Sequence, residues 1–132
     1  MKDPNNPCIF CSIQKKELIF ENSLAYASKD SYPVTKFHSL VVPKRCVKNY
    51  FELNDKEILA CDNLIKKLQK KIASEDSTVK GFNVGTNSGK VAGQSIFHCH
   101  IHVIPRRAGD VENPQGGVRS VIPSKQHYIR KK

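Results

Sequence analysis

The segment Ser95–Pro105 constrains the fold of this chain more than any other part of the sequence, because two kinds of side chain alternate along it. One set is apolar and consists of Phe97, Cys99, Ile101 and Val103. The other set consists of His98, His100 and His102. Successive side chains of a β-strand point to opposite faces, so this period of two predicts a strand. We expect the apolar face to pack in a core and the histidines to line the other face.

The remaining sequence predicts more strands and one helix around that segment. Short strands are expected at residues 24–28, 38–42, 81–85 and 118–122. A helix is expected from Asn54 to about residue 73, because Glu57 completes a capping box with Asn54. An apolar stripe follows at spacings of three and four: Ile58, Cys61, Ile65, Leu68 and Ile72. The predicted fold class is α+β, an antiparallel sheet with one main helix on a face.

With 132 residues the chain is expected to form a single domain, residues 1–132. Residues from about 108 to 132 carry turn residues and no acid beyond Glu112, which predicts an irregular basic C-terminal extension. No stretch approaches the roughly 18 apolar residues of a membrane span, and residues 1–7 lack the apolar core of a signal peptide. We therefore expect a cytoplasmic protein with no membrane partner.

The net charge favours anionic partners. Twenty-two basic residues against 12 acidic ones give +10 at pH 7. A basic surface attracts phosphate-bearing ligands without telling a nucleotide from a nucleic acid. The chain has no Trp, and its Phe and Tyr residues are dispersed, so the aromatic array of a single-stranded nucleic acid binder is missing. Composition therefore favours an anionic partner and weighs against a single-stranded nucleic acid.

Three histidines on one strand face could serve two chemical functions, zinc binding or covalent catalysis. Residues i and i+2 lie roughly 6.7 Å apart and i and i+4 about 13 Å apart, so two neighbours can share a zinc ion but three cannot easily do so. The alternative is covalent catalysis, because a neutral imidazole is a good nucleophile towards phosphorus. The central residue, His100, is then the expected nucleophile.

The loop before the histidines suits a phosphate ligand. Its glycines allow close backbone approach, and Asn87, Lys90, Gln94 and Ser95 offer side-chain donors. The Gly89-Lys90 pair does not make a P-loop, since three residues separate Gly85 from Gly89 and Val91 follows the lysine.

These segments resemble the histidine triad family. The run Gly93–Pro105 matches the family signature of three histidines separated by apolar residues, and residues 37–44, a His followed by a strand ending in Pro-Lys, match its second landmark. The resemblance implies an α+β meander, a homodimer and binding of a nucleotide, with adenine as the expected base. Cleavage would pass through a nucleotidyl-histidine intermediate.

Carried over position by position, the resemblance implies a role for each site residue. His100 would be the nucleophile at the α-phosphorus, His38 would hydrogen-bond and orient it, and His102 would contact phosphate or relay a proton. The phosphate contacts would come from Asn87, Gln94 and Ser95, and Asp30 would hold the ribose hydroxyls.

A second motif, Cys8-Ile-Phe-Cys11, is ambiguous by itself, since the two thiols could form a redox site, bind zinc or be buried without a metal. A redox site would need a preceding strand, which the proline-containing start of the chain does not offer. Some members of the family bind zinc with such a motif, a His after the Pro-Lys landmark and the first triad His. In this chain Cys46 stands where those members have the His after the Pro-Lys landmark, so the implied ligands are Cys8, Cys11, Cys46 and His98. His98 would thereby also position His100.

Residues 104–119 resemble the dinucleoside polyphosphate hydrolases of the family, with Arg106, Arg107 and Arg119 available to a polyphosphate. The expected reaction is cleavage of a substrate such as diadenosine tetraphosphate to a nucleoside monophosphate, with Mg²⁺ accompanying the polyphosphate. Two alternatives remain open: an adenosine phosphoramidase, and a non-enzymatic nucleotide or RNA binder.

Overall fold

A computed structural model describes residues 8–131, and these residues form one antiparallel sheet with a single α-helix on it. The elements in chain order are β1 (Leu18–Glu21), β2 (Ala25–Lys29), β3 (Ser39–Pro43), α1 (Asp55–Glu75), β4 (Val79–Thr86) and β5 (Ile101–Arg107). The strand order in the sheet is β1-β2-β3-β5-β4. The predicted fold class is confirmed, and the strands expected at 24–28, 38–42 and 81–85 correspond to β2, β3 and β4.

Helix α1 begins where the sequence predicts it. The Asn54 side chain accepts from the Glu57 N–H, and the Glu57 carboxylate accepts from the Asn54 N–H. The helix buries Cys61, Leu64, Leu68 and Ile72 against alternate residues of the sheet: Ala25, Ala27, Val41, Ile101 and Val103. This core lies between α1 and one face of the sheet.

The opposite face of the sheet has only a partial cover. Tyr26, Leu40 and Val42 point to this side, and the N-terminal segment places Phe10 against them. The Tyr26 hydroxyl donates a 2.6 Å hydrogen bond to the Phe10 carbonyl. His102 pairs with Leu40 across β3 and β5, so it lies on this same open face.

The strand expected over Ser95–Pro105 begins six residues later, at Ile101. The segment before it bonds to a loop instead of a neighbouring strand, since the Cys99 N–H donates to the Val47 carbonyl at 2.7 Å. Phe97 is consequently 52% exposed, and its expected place in the core is wrong. Cys99, Ile101 and Val103 are buried as predicted.

The strand expected at residues 118–122 is also wrong, because short 3₁₀-helices occupy Gly117–Val121 and Pro123–Lys125. Arg119 holds this part of the chain together by donating to the carbonyls of Lys125 and Gln126. Gly116 has φ +92°, and a Cβ there would lie 2.1 Å from the Gln126 carbonyl oxygen. Of the helices within residues 8–131, none is long and apolar enough to cross a bilayer.

Candidate active site and metal centre

A cleft of about 650 Å³ opens on the sheet face that α1 does not cover. It contains both His100 and His102, and its other polar lining includes Ser28, Asp30, Asn87 and Ser95. Apolar residues from the N-terminal segment and the sheet form the rest of its wall: Ile9, Phe10, Ile13, Leu40 and Ile96. A cleft of this size with a few convergent polar groups is suited to one small ligand.

His100 is oriented by the backbone just before it. Its Nδ1 lies 2.8 Å from the carbonyl oxygen of His98. A carbonyl can only accept, so Nδ1 carries the proton and the lone pair of the neutral ring lies on Nε2. Within residues 8–131, Nε2 has no hydrogen-bond partner. The Nε2 atom of His100 is therefore available as a nucleophile, and its side chain lines the cleft.

His38 and His102 form a second, separate hydrogen-bonded pair. The Val34 N–H donates to Nδ1 of His38 at 3.1 Å, so the proton of a neutral His38 is on Nε2. That Nε2 lies 2.9 Å from Nδ1 of His102, which must accept. Asp30 places Oδ2 3.3 Å from the same His38 nitrogen. The neutral His102 ring is thus left with its N–H on Nε2, available to a phosphate oxygen or a leaving group.

This arrangement corrects the expected role of His38. Both of its ring nitrogens are engaged, with Val34 and with His102, and the His98 carbonyl orients His100 instead. His38 therefore positions His102. The preceding residue, Phe37, has φ +74°, a conformation uncommon outside glycine that sets the direction in which the chain enters β3.

The two rings of this pair are held neutral by their surroundings. Burial lowers the pKa of His38, with Asp30 opposing the shift. Burial also lowers the pKa of His102, aided by His100 and His38, and again Asp30 opposes. Both shifts favour the neutral forms that the hydrogen bonds require.

We expect the two neutral histidines to make the fold less stable in mild acid. A histidine whose pKa is lowered on folding contributes stability above its unfolded value, near 6.5, and loses it as pH falls through the folded value. Urea unfolding between about pH 7 and about pH 5 should show stability declining. His38→Asn should reduce that slope by up to ~1.4 kcal/mol per pH unit. The variant His127→Ala, which alters an exposed histidine, should keep the wild-type slope; equal slopes in all three proteins would contradict this.

The loop before the histidines reaches the cleft in part. Asn87, Gly93 and Ser95 line the cleft, whereas Gln94 is only 4% exposed and does not. The Gln94 amide donates to the carbonyls of Lys48 and Ile96 and accepts from the Gly89 N–H. The buried Gln94 side chain thus holds the loop in place, and these bonds replace the expected contact with phosphate.

The three arginines expected to meet a polyphosphate are held by the fold. Arg106 forms a two-pronged ion pair with Asp110, and Arg107 donates to Asp76. Arg119 is bound to backbone carbonyls in the C-terminal segment. None of the three lines the cleft described above.

The four predicted metal ligands come together beside this cleft. One ligand atom from each of Cys8, Cys11, Cys46 and His98 lies within 4.8 Å of the others. His98 is fully buried, and its Nδ1 lies 3.3 Å from Cys8 Sγ and 3.4 Å from Cys11 Sγ. Zinc bonded tetrahedrally to sulfur brings its ligands to about 3.8 Å from one another.

The chemistry of this donor set fits zinc. Nε2 of His98 donates to the Pro43 carbonyl at 2.8 Å, which leaves the Nδ1 lone pair facing the sulfur atoms. Burial and the neighbouring thiols raise the pKa of Cys11 to about 12, so a cation must displace the thiol protons. Bound there, the metal would supply a structural cross-link, since all four tetrahedral positions belong to the protein.

The expectation that Mg²⁺ accompanies the substrate finds no such support among the described residues of the protein. The other cluster of metal-competent groups in residues 8–131 is Asp30, His38 and His102. Mg²⁺ prefers oxygen ligands, and here two of three groups are imidazoles that share a hydrogen bond. Binding a cation through Nε2 of His38 would also move its proton to Nδ1, against the Val34 N–H.

Sequence reasoning missed the hydrophobic wall of the cleft. The only signal for Phe10 was its place between the two cysteines, and Leu40 had the pattern of an ordinary strand residue. Ser28 was also missed, although it immediately precedes Lys29 and Asp30 at the end of β2.

A family model described as the HIT domain matches residues 12–109. The chain belongs to the HIT family. An adenosine 5'-monophosphoramidase from Schizosaccharomyces pombe is 36% identical over 103 residues, covering 75% of this chain and 74% of the relative. An adenylylsulfatase from Arabidopsis thaliana is 31% identical over 109 residues, covering 80% of this chain and 55% of the relative.

Solved structures of this family share the fold. A hypothetical histidine triad nucleotide-binding protein from Sulfolobus tokodaii has a TM-score of 0.71 and 34% identity, covering 77% of this chain and 70% of its own. A zinc-bound histidine triad family protein from Mycobacterium smegmatis has a TM-score of 0.71 and 29% identity, covering 79% and 78%. Together with the family's curated hydrolases, the triad geometry makes this chain a nucleotide hydrolase.

Proposed function

We propose that this hydrolase cleaves dinucleoside polyphosphates at the α-phosphate through a nucleotidyl-His100 intermediate and releases a nucleoside monophosphate. The observation that carries the proposal is the fixed tautomer of His100. Its Nδ1–H is held by the His98 carbonyl, so the Nε2 lone pair is available in the cleft.

The reaction then has two steps. The Nε2 lone pair attacks the α-phosphorus, and the phosphoanhydride bond breaks as its electron pair leaves with the remaining phosphates. The resulting phosphoramidate keeps its Nδ1–H against the His98 carbonyl, which stabilises the positive ring. Water next attacks the phosphorus, the phosphorus–nitrogen electron pair returns to His100, and the proton of the water passes to solvent. The product is a nucleoside monophosphate.

The neighbouring groups hold the substrate. The free Nε2–H of His102 is suited to donate to a phosphate oxygen or to the leaving group, because His38 fixes its other nitrogen. Asn87 and Ser95 border the cleft as further phosphate donors. Asp30 lines the same cleft and is proposed to accept from the ribose hydroxyls. The apolar wall around Phe10 is suited to an adenine ring.

Two features support a polyphosphate substrate: the charge of the whole chain and the open side of the cleft. The net charge of +10 attracts a polyanion, and the cleft opens on one face of the sheet, so a long leaving group can extend into solvent. We also propose a homodimer, since β4 is an edge strand of the sheet formed by residues 8–131 and exposes Val84, and since Val118 and Val121 of the C-terminal segment are exposed as well.

Hydrolysis of an adenosine phosphoramidate is the second candidate. The same attack by His100 would break a phosphorus–nitrogen bond, with His102 donating to the departing amine. The similarity to an adenosine 5'-monophosphoramidase favours this candidate.

A substrate panel separates the two candidates. Purified protein should be incubated with diadenosine tetraphosphate, diadenosine triphosphate, adenosine 5'-phosphoramidate and adenylyl sulfate, and AMP release followed by chromatography. We expect kcat/KM for a dinucleotide to exceed that for the others at least about tenfold, equivalent to ~1.4 kcal/mol of differential transition-state binding. The reverse order would establish the phosphoramidase, and absence of AMP from every substrate would contradict both.

A further inference from the structure

The metal cluster and the nucleotide cleft share one short loop. Cys8 and Cys11 supply two of the clustered sulfur atoms, and the two residues between them, Ile9 and Phe10, both line the cleft. The position of these ligands therefore bears directly on the position of the cleft wall.

Phe10 connects the loop to the catalytic histidines. Its ring centroid lies 4.8 Å from that of His100 and 5.9 Å from that of His98. Phe10 is 7% exposed and packs with Tyr26, Leu40 and Val42 on the open sheet face. One aromatic side chain thus touches the proposed nucleophile, a metal ligand and the floor of the cleft.

Side-chain packing contributes much of the attachment of this loop to the sheet. Residues 8–14 lie outside every strand. Their backbone bonds include a local Ser12-to-Ile9 turn at 3.3 Å and the single bond from the Tyr26 hydroxyl to Phe10. The Ile9–Phe10 wall is therefore held by side-chain packing and by the contacts of the Cys8 and Cys11 sulfur atoms with His98.

The cluster joins this loop to the two segments that build the catalytic centre. Cys46 follows β3, and His98 precedes β5 and presents the carbonyl that orients His100. A cation shared by the four side chains would fasten the loop to both segments at once.

We propose that the metal cluster is a positioning device for the Ile9–Phe10 wall, so that zinc occupancy sets the affinity of the cleft for nucleotide. The proposal rests on the proposed function only in assigning the cleft to an adenine nucleotide. Zinc removal releases Phe10 from its place and costs binding, because the wall must then be ordered when the ligand enters.

AMP binding measured by titration calorimetry tests this coupling. The proteins are zinc-loaded wild type, wild type depleted by a chelator under reducing conditions, and Phe10→Ala in both states, with far-UV circular dichroism recorded for each. We expect depletion to weaken AMP binding to wild type about tenfold or more while the circular dichroism is retained. Phe10→Ala should keep its zinc and bind AMP about tenfold more weakly, and depletion should then add little, since contacting groups are not additive. Phe51→Ala, an exposed matched control, should behave as wild type.

Each other result overturns the coupling. Equal AMP affinity with and without zinc would show that the wall is positioned independently of the cluster. Loss of the far-UV signal on depletion would show that the cluster holds the whole fold. Equal losses on depletion in wild type and Phe10→Ala would show that the effect does not pass through Phe10. Failure of the zinc-loaded wild type to bind AMP or cleave any panel substrate would instead contradict the proposed function.

Discussion

Replacing His100 with alanine is expected to lower kcat by at least ~10⁴-fold, because the variant loses the group that forms the covalent intermediate. His102 cannot substitute for it. Nδ1 of His102 is bound to His38, and its Nε2 carries the proton. The loss should appear in kcat more than in nucleotide binding, since the apolar wall and the phosphate donors of the cleft remain. Steady-state kinetics on the best substrate of the panel measures the effect.

Two controls make this result specific to His100. His127→Ala removes an exposed histidine and should retain wild-type turnover. Quenching of wild type during turnover with alkaline denaturant, followed by mass spectrometry without acidification, should reveal a nucleotidyl adduct on the peptide that contains His100, because a phosphoramidate survives base and hydrolyses in acid. A variant that keeps more than a tenth of wild-type kcat, or an adduct on another histidine, would refute the assignment.

The sequence predicted which histidines lie close together better than it predicted their hydrogen-bond partners. The histidine spacing identified the residues of the triad, but strand periodicity alone could not show that His98 lies before β5, with its ring buried under the Pro43 carbonyl. That position depends on the loop containing Val47, which pairs with Cys99. Local alternation carries no information about such a contact.

Two polar residues also have hydrogen-bond partners that the sequence did not predict. Gln94 and Arg106 were reasonable phosphate donors by residue type, yet each finds its partners inside the protein. Asp110, the partner of Arg106, is only four residues away in sequence and still gave no usable signal, because a solvated pair at this spacing is common. The four residues expected to bind a metal do lie together in the structure, and few residue types can perform that role.

The protein is expected to carry one zinc per chain, and Cys11→Ala is expected to lose it. Removing one thiol leaves three ligands, and the cross-link between the N-terminal loop, the loop after β3 that contains Cys46 and the segment before β5 is weakened. A ligand bound only by the folded state stabilises it by mass action. We therefore expect the free energy of unfolding to fall by about 3 to 5 kcal/mol and Tm by about 10 to 20 °C.

Elemental analysis and thermal unfolding of protein from zinc-supplemented cells check both parts of this prediction. Cys61→Ala is the matched thiol control, because Cys61 packs in the α1 core away from the cluster. It should keep one zinc and lose only the smaller stability of a core truncation, on the order of 1 kcal/mol. A zinc-free wild type would show that the three thiols and His98 pack together without a metal, and a Cys11→Ala variant with full zinc content would show that Cys11 is not a required ligand. A Cys11→Ala variant that loses zinc without losing stability would show that the metal does not stabilise the fold and that its role is limited to the cleft wall.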